Sequence, residues 1–340
     1  MSSTIIAFLL HTNQQIIRYC GISILFGGLI GGILNIIVFL SLRTFRQNTC
    51  AFYLTVLSIV NIMQLITGLF SRIMITGFNI DWTYNSLFYC KFRTFSFQLS
   101  SLMSFVCISF ATIDQYLTTC SPSRWPQWCT LKRARCMIVV ALCIAFIQQS
   151  PCLIFYNLVH SNTTDSIICD TTNMNFILYN SYFNYLILGN ILPCLITFSF
   201  GLMTYYNIQQ ISYRTKPFIR RELDKQLSRM VLIQVVYTIL SISPNGILYS
   251  ILAFANIQDP VRFGQLRLGY SLMTILYYTC FAVSKNDFYD ISFFLSFFLS
   301  SLESILYLYL CIRTISSTSA VCIIKDVFYS RTSSNSTTMT

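Results

Sequence analysis

The sequence predicts an all-α membrane protein, a seven-transmembrane helix bundle with its amino terminus outside. Three observations predict it. Only 10% of the 340 residues are charged and 55% are hydrophobic, against about 25% charged in a soluble domain. The charges are gathered at intervals and leave seven uncharged runs, at 19–42, 47–71, 94–113, 136–164, 171–213, 230–258 and 268–284. The Lys and Arg residues between the runs collect on one side of the membrane that the runs define.

A helix rises ~1.5 Å per residue, so a ~30 Å hydrocarbon core takes about 20 apolar residues to cross. Six runs reach that length, and the seventh, with 17 residues, lies at its lower edge. The pattern places spans near 20–42, 50–71, 90–119, 134–156, 178–208, 229–255 and 265–284. Residues 1–19 are mostly polar and lack a basic start before a short apolar core, so they read as a short extracellular amino terminus rather than a cleaved signal. The bundle then occupies 20–312 and a cytoplasmic tail 313–340.

Short loops rich in Lys and Arg stay cytoplasmic. With the amino terminus outside, the inner face holds Arg43, Arg46, Arg124, Lys132, Arg133, Arg135, Arg214, Lys216, Arg220, Arg221, Lys225, Arg229, Arg313, Lys325 and Arg331, which is 15 residues. The outer face holds six: Arg18, Arg72, Lys91, Arg93, Arg262 and Arg267. The inverted arrangement reverses those counts. The loop 157–177 falls outside, and there Asn162-Thr163-Thr164 is a glycosylation acceptor.

Composition excludes several functions. The net charge of +11 does not mark a nucleic-acid binder, because the basic residues lie at membrane edges. The 14 cysteines form no CxxC pair, and His11 and His160 are the only histidines, so no metal or other cofactor is expected. No HExxH, Gly-x-Ser-x-Gly or phosphate-binding glycine loop occurs, which argues against an enzyme. A transporter or channel would show intramembrane charges, broken helices or an internal repeat. Here the spans are charge-free except at their ends, and the cluster Gly27, Gly28, Gly31 and Gly32 also suits plain helix packing.

Several residues fall at meaningful positions. Cys90 stands at the external end of span three and Cys169 in the external loop after span four. That compartment is oxidising, where thiols pair or stay free. Asp114-Gln115-Tyr116 ends span three 24 residues after Cys90, and Pro122 follows eight residues later. Asn35 lies in span one, Asn61 closes Leu57-Ser58-Ile59-Val60-Asn61 in span two, and Pro193 and Pro244 interrupt spans five and six. Trp82 precedes Cys90 by eight residues.

This set resembles the rhodopsin-like (class A) family of G-protein-coupled receptors over roughly residues 20–285. In that family a Cys tops helix three, Asp-Arg-Tyr ends it with a Pro eight residues beyond, an Asn marks helix one, a Leu-x-x-x-Asp marks helix two, and prolines kink helices five and six. Residues 220–227 leading into span six also look like those of invertebrate peptide receptors. The resemblance implies a Cys90–Cys169 disulfide, which would contribute roughly 2–4 kcal/mol. It implies a coupling region at Asp114, Gln115, Tyr116 and Arg229. It gives Asn35 and Asn61 a hydrogen-bonding role across helices one and two, and makes Pro193 and Pro244 kinks. By position it places Phe97, Gln98 and Ser101 in a ligand pocket, with Tyr277 and Tyr278 from span seven. The implied partners are an extracellular ligand and a heterotrimeric G protein at the plasma membrane. Residues 213–229 would meet that G protein or anionic lipid, the latter at about 1 kcal/mol per basic residue.

The sequence also departs from the family. Gln115 replaces the Arg of the triplet and cannot form its ion pair. Asn61 replaces the helix-two Asp, so no sodium site is expected. Ser241-Ile242-Ser243-Pro244 lacks the aromatic switch of helix six, and no Asn-Pro-x-x-Tyr occurs. These losses keep a non-signalling receptor-like fold as an alternative. Phe97 stands where amine receptors carry an Asp, which favours a peptide or apolar ligand. Residues 285–303 match nothing in the family and read as an insertion at the end of helix seven, because joining 268–284 to 304–312 makes one span. The tail 330–340, with eight Ser or Thr in eleven residues, is a candidate for kinases, and Cys311 and Cys322 for lipidation.

Overall fold

Asn48 starts the second helix by accepting hydrogen bonds from the backbone N–H groups of Cys50 and Ala51. Ser86 does the same for the third through the N–H of Tyr89. Such caps satisfy donors that a helix start leaves free. The computed structural model describes residues 2–41, 46–83, 85–120, 129–160, 167–211, 231–232, 235–242, 244–249, 252 and 260–282. These belong to one compact unit, Met1–Asn286. Helix α1 is Ser2–Ser41. α2 is Thr49–Gly77, α-helical to Gln64 and π-helical over Leu65–Phe70 and Ile73–Gly77. α3 is Leu87–Thr119 and α4 is Leu131–Phe155. Strands β1 (Asn157–His160) and β2 (Ile167–Asp170) pair antiparallel, with Leu158 opposite Cys169. α5 runs through Met174–Leu178, a π-helix over Tyr179–Ile191, and Leu192–Ile211. α6 is described over 231–232, 235–242 and 244–249, and α7 is Pro260–Ala282.

α1, α2, α3, α4 and the helical stretch Met174–Asn207 are each long and apolar enough to cross a bilayer. Their outer surfaces carry exposed apolar side chains, such as Ile144, Ile147 and Ile154 on α4. That suits a lipid solvent, in which polarity moves inward. α3 is the hub: it packs on α2, α4 and α5, while α1 packs on α2 and α7. One core cluster joins Leu54 and Leu57 of α2 to Cys107 and Ala111 of α3, and another joins Ile17 and Ile24 of α1 to Leu65, Leu69 and Phe281.

Two features differ from the sequence expectation. α1 begins at Ser2, not near residue 20. Arg18 closes the uncharged run but does not end the helix, because its guanidinium donates to the Gly77 carbonyl at 2.7 Å from Nη2 and lies 4.6 Å from the Phe78 ring. The apolar residues before it are helical too, and Leu9 and Ile17 are buried. α2 likewise continues past Arg72 to Gly77. The loop after α4 contains the β1–β2 hairpin. The expectations for Pro122, Asn162, residues 213–229 with Arg229, residues 285–303, Cys311, Cys322 and the tail 330–340 lie outside the described residues.

Candidate ligand cavity and receptor family

Cys90 and Cys169 form a disulfide. It fastens β2 to the external end of α3 and brings Asp170 over the space between the helices. Beneath it lies a cavity of about 400 Å³, within the range of small-ligand sites.

Each wall follows from helical spacing. On α3, Arg93, Phe97, Ser101 and Phe105 recur every fourth residue, with Gln98 beside them, and all line the cavity. α7 contributes Tyr270, Thr274, Tyr277 and Tyr278. α2 contributes Arg72, α4 Gln149, α5 Asn184, Tyr185 and Asn190, and α6 Ile242, Asn245 and Gly246. The five residues expected from sequence, Phe97, Gln98, Ser101, Tyr277 and Tyr278, thus share one cavity.

The walls are cross-linked by hydrogen bonds. Ser101 and Tyr277 share one at 2.7 Å, which ties α3 to α7. Gln64 donates weakly to the same phenol at 3.4 Å. Asn245 donates to Thr274 at 3.1 Å, between α6 and α7, and the Cys152 thiol to Gln98 at 3.1 Å. Tyr156 caps the end of α4. Among the described residues no group of three His, Cys, Asp or Glu is placed to hold a metal ion.

The family-marking residues stand deeper. Asn35 is buried in α1. Asn61 accepts from Ser104 at 2.7 Å, which joins α2 to α3. At the cytoplasmic end Asp114 is 6% and Gln115 3% exposed. The Thr49 hydroxyl lies 2.9 and 2.8 Å from the two Asp114 oxygens. A hydroxyl has one hydrogen, so this is one bond shared between two acceptors. Tyr116 packs edge-on against Phe200 of α5. Pro193 follows directly on the π-helical stretch of α5, whose end Leu192 closes by donating to Ile187. Pro244 lies in α6 between the cavity residues Ile242 and Asn245.

A family model described as "7 transmembrane receptor (rhodopsin family)" matches residues 31–306. The chain belongs to the rhodopsin family of seven-transmembrane receptors. It is therefore a multi-pass membrane protein of seven helices, in a family that is not enzymatic. No curated protein matches this receptor.

Sequence reasoning missed Arg72, Arg93, Gln149, Tyr156, Asp170 and the α5 amides. Arg93 was findable, because it precedes Phe97 by one turn on the same stripe. Arg72 was not, because only the continuation of α2 to Gly77 turns a run-ending charge into a wall residue. Asp170 needed the disulfide and the hairpin register together.

Proposed function

We propose that this receptor binds an extracellular peptide or small molecule in the cavity and signals to a heterotrimeric G protein at the plasma membrane. The observation that carries the proposal is a cavity under the Cys90–Cys169 bridge that the helices share, with walls from α2 to α7 and the Pro244 segment of α6 among them. A ligand there touches the helix whose cytoplasmic half would move. It shifts the receptor only by binding the moved state more tightly. Asp114, Gln115 and Tyr116 form the inner end of this path, and Arg229 is proposed as a further contact for the G protein.

A panel of G-protein activation sensors in cells expressing the chain, screened with peptides and small molecules, tests the proposal. At least one ligand should activate a sensor, and Phe97→Ala or Tyr277→Phe should lower its potency at unchanged surface expression. An agonist whose potency ignores both substitutions overturns the cavity as the site. A second reading, a receptor-like fold that does not signal, draws support from Gln115, a buried neutral residue where the family has its Arg. It wins if a ligand stabilises the receptor and no sensor ever responds.

A further inference from the structure

Two guanidinium groups line the cavity, and no carboxylate of the described residues forms an ion pair with either. The Nε of Arg72 and the Nε of Arg93 are both buried without a hydrogen-bond partner. Arg72 has only a long contact from Nη2 to the Ser271 hydroxyl, at 3.5 Å, and the Tyr270 ring at 5.4 Å. Arg18 shows what a structural arginine looks like in this same fold: its Nε and Nη2 both donate to the Gly77 carbonyl, at 3.2 and 2.7 Å.

An arginine cannot escape burial by losing its proton. Both side chains are half-buried, and a guanidinium whose Nε is cut off from solvent without a partner is costly, a cost that an anion in the cavity would relieve. One carboxylate lines the same cavity, on Asp170. Its Oδ1 is taken by the backbone N–H of Thr171 at 2.8 Å. Two cations and one anion leave the wall with a single positive charge, among tyrosines and side-chain amides.

We infer that the cavity takes a ligand carrying one carboxylate, gripped by Arg72 with Arg93 beside it. This rests on the cavity being the ligand site. The planar fork of an arginine matches a carboxylate with two parallel hydrogen bonds. A monoanion also balances the wall, whereas a phosphate dianion overcharges it. The carboxylate comes either from a small organic acid or from the free carboxyl terminus of a peptide, and the remaining aromatic and amide surface receives the body of either.

The test uses the full chain in nanodiscs of neutral phosphatidylcholine, which removes anionic lipid as a competitor. Thermal unfolding is followed with 3-phenylpropionate against its primary amide, with the tripeptide Gly-Gly-Phe as free acid against its carboxyl-terminal amide, and with phenyl phosphate. At least one acid should raise the unfolding temperature saturably while its amide does not, and the arm that responds identifies the source. Arg72→Gln should weaken the acid by at least roughly tenfold, as loss of a charge-assisted bond implies, and Arg72→Lys should weaken it less. Arg93→Gln supplies an independent variant if the first does not fold, and the acid-against-amide comparison needs no variant. Amides that match the acids, phenyl phosphate that outperforms them, or acids without effect overturn the inference. The receptor reading fails separately. An acid that stabilises the protein but activates no sensor sinks signalling and leaves the anion site. An agonist equally potent as acid and amide, and indifferent to Arg72→Gln, sinks the anion site and leaves the receptor.

Discussion

Cys129 precedes α4 with its thiol bonded to Asp114, and burial, the Asp114 charge and that bond together push its pKa up to about 12, against about 8.5 for a free thiol. The shift keeps the proton on sulfur, and only the thiolate attacks an alkylating agent. Alkylation of Cys129 by iodoacetamide should therefore be slow at pH 8 and still climbing at pH 10, where an ordinary thiol has levelled off. Asp114→Asn removes the charge, lowers the pKa and should speed labelling at pH 8, as mass spectrometry of the labelled peptide would register. An early plateau in the unaltered protein contradicts this environment. Asp114 itself was legible from its spacing to Cys90. Its partners Thr49 and Cys129 were not, because nothing in an isolated Thr or Cys says that three chain ends converge at the cytoplasmic face.

Among elements, α1 shows how far a composition signal goes. Four clustered glycines mark a helix built for close approach, but only the partner surfaces sort them. A Cβ on Gly28 would sit 2.7 Å from the Ala282 Cβ and 2.9 Å from the Ala282 Cα. The second of these is backbone and cannot swing aside, so α7 must retreat. One on Gly32 would meet Ile62 at 2.8 Å, whereas one on Gly27 meets nothing within 4 Å. Gly28→Ala should destabilise the receptor by about 1–3 kcal/mol, as overpacking does. Gly27→Ala should be neutral or gain up to about 1 kcal/mol from helix propensity. Thermal unfolding of the two purified variants decides it, and equal losses would mean that the α1–α7 contact is wrong. The spans were legible because bilayer thickness fixes their length. The start of α1 and the π-helical turns of α2 and α5 were not, because hydropathy is blind to how a backbone winds and to an arginine that is answered by a neighbouring carbonyl.

For the whole molecule the question is sidedness, and independent physical effects agree. The basic residues divide 15 to six in favour of an external amino terminus. The fold strengthens that division. Of the six external ones, Arg18 is spent on the Gly77 carbonyl, and Arg72 and Arg93 line the cavity. The disulfide gives a second argument that owes nothing to charge. Cys90 and Cys169 pair, and disulfides persist on the oxidising side of a membrane. Cys120, at the opposite end of α3, stays a thiol. An epitope fused before Met1 should therefore be stained by antibody on intact cells, and one fused after Thr340 only once the cells are permeabilised. Staining of the second epitope on intact cells would mean an even number of crossings or an inverted chain. An inverted chain would put Cys90 and Cys169 in the reducing cytoplasm, so non-reduced peptide mapping of the same cells separates the two: a linked Cys90–Cys169 peptide excludes inversion, and free thiols would establish it.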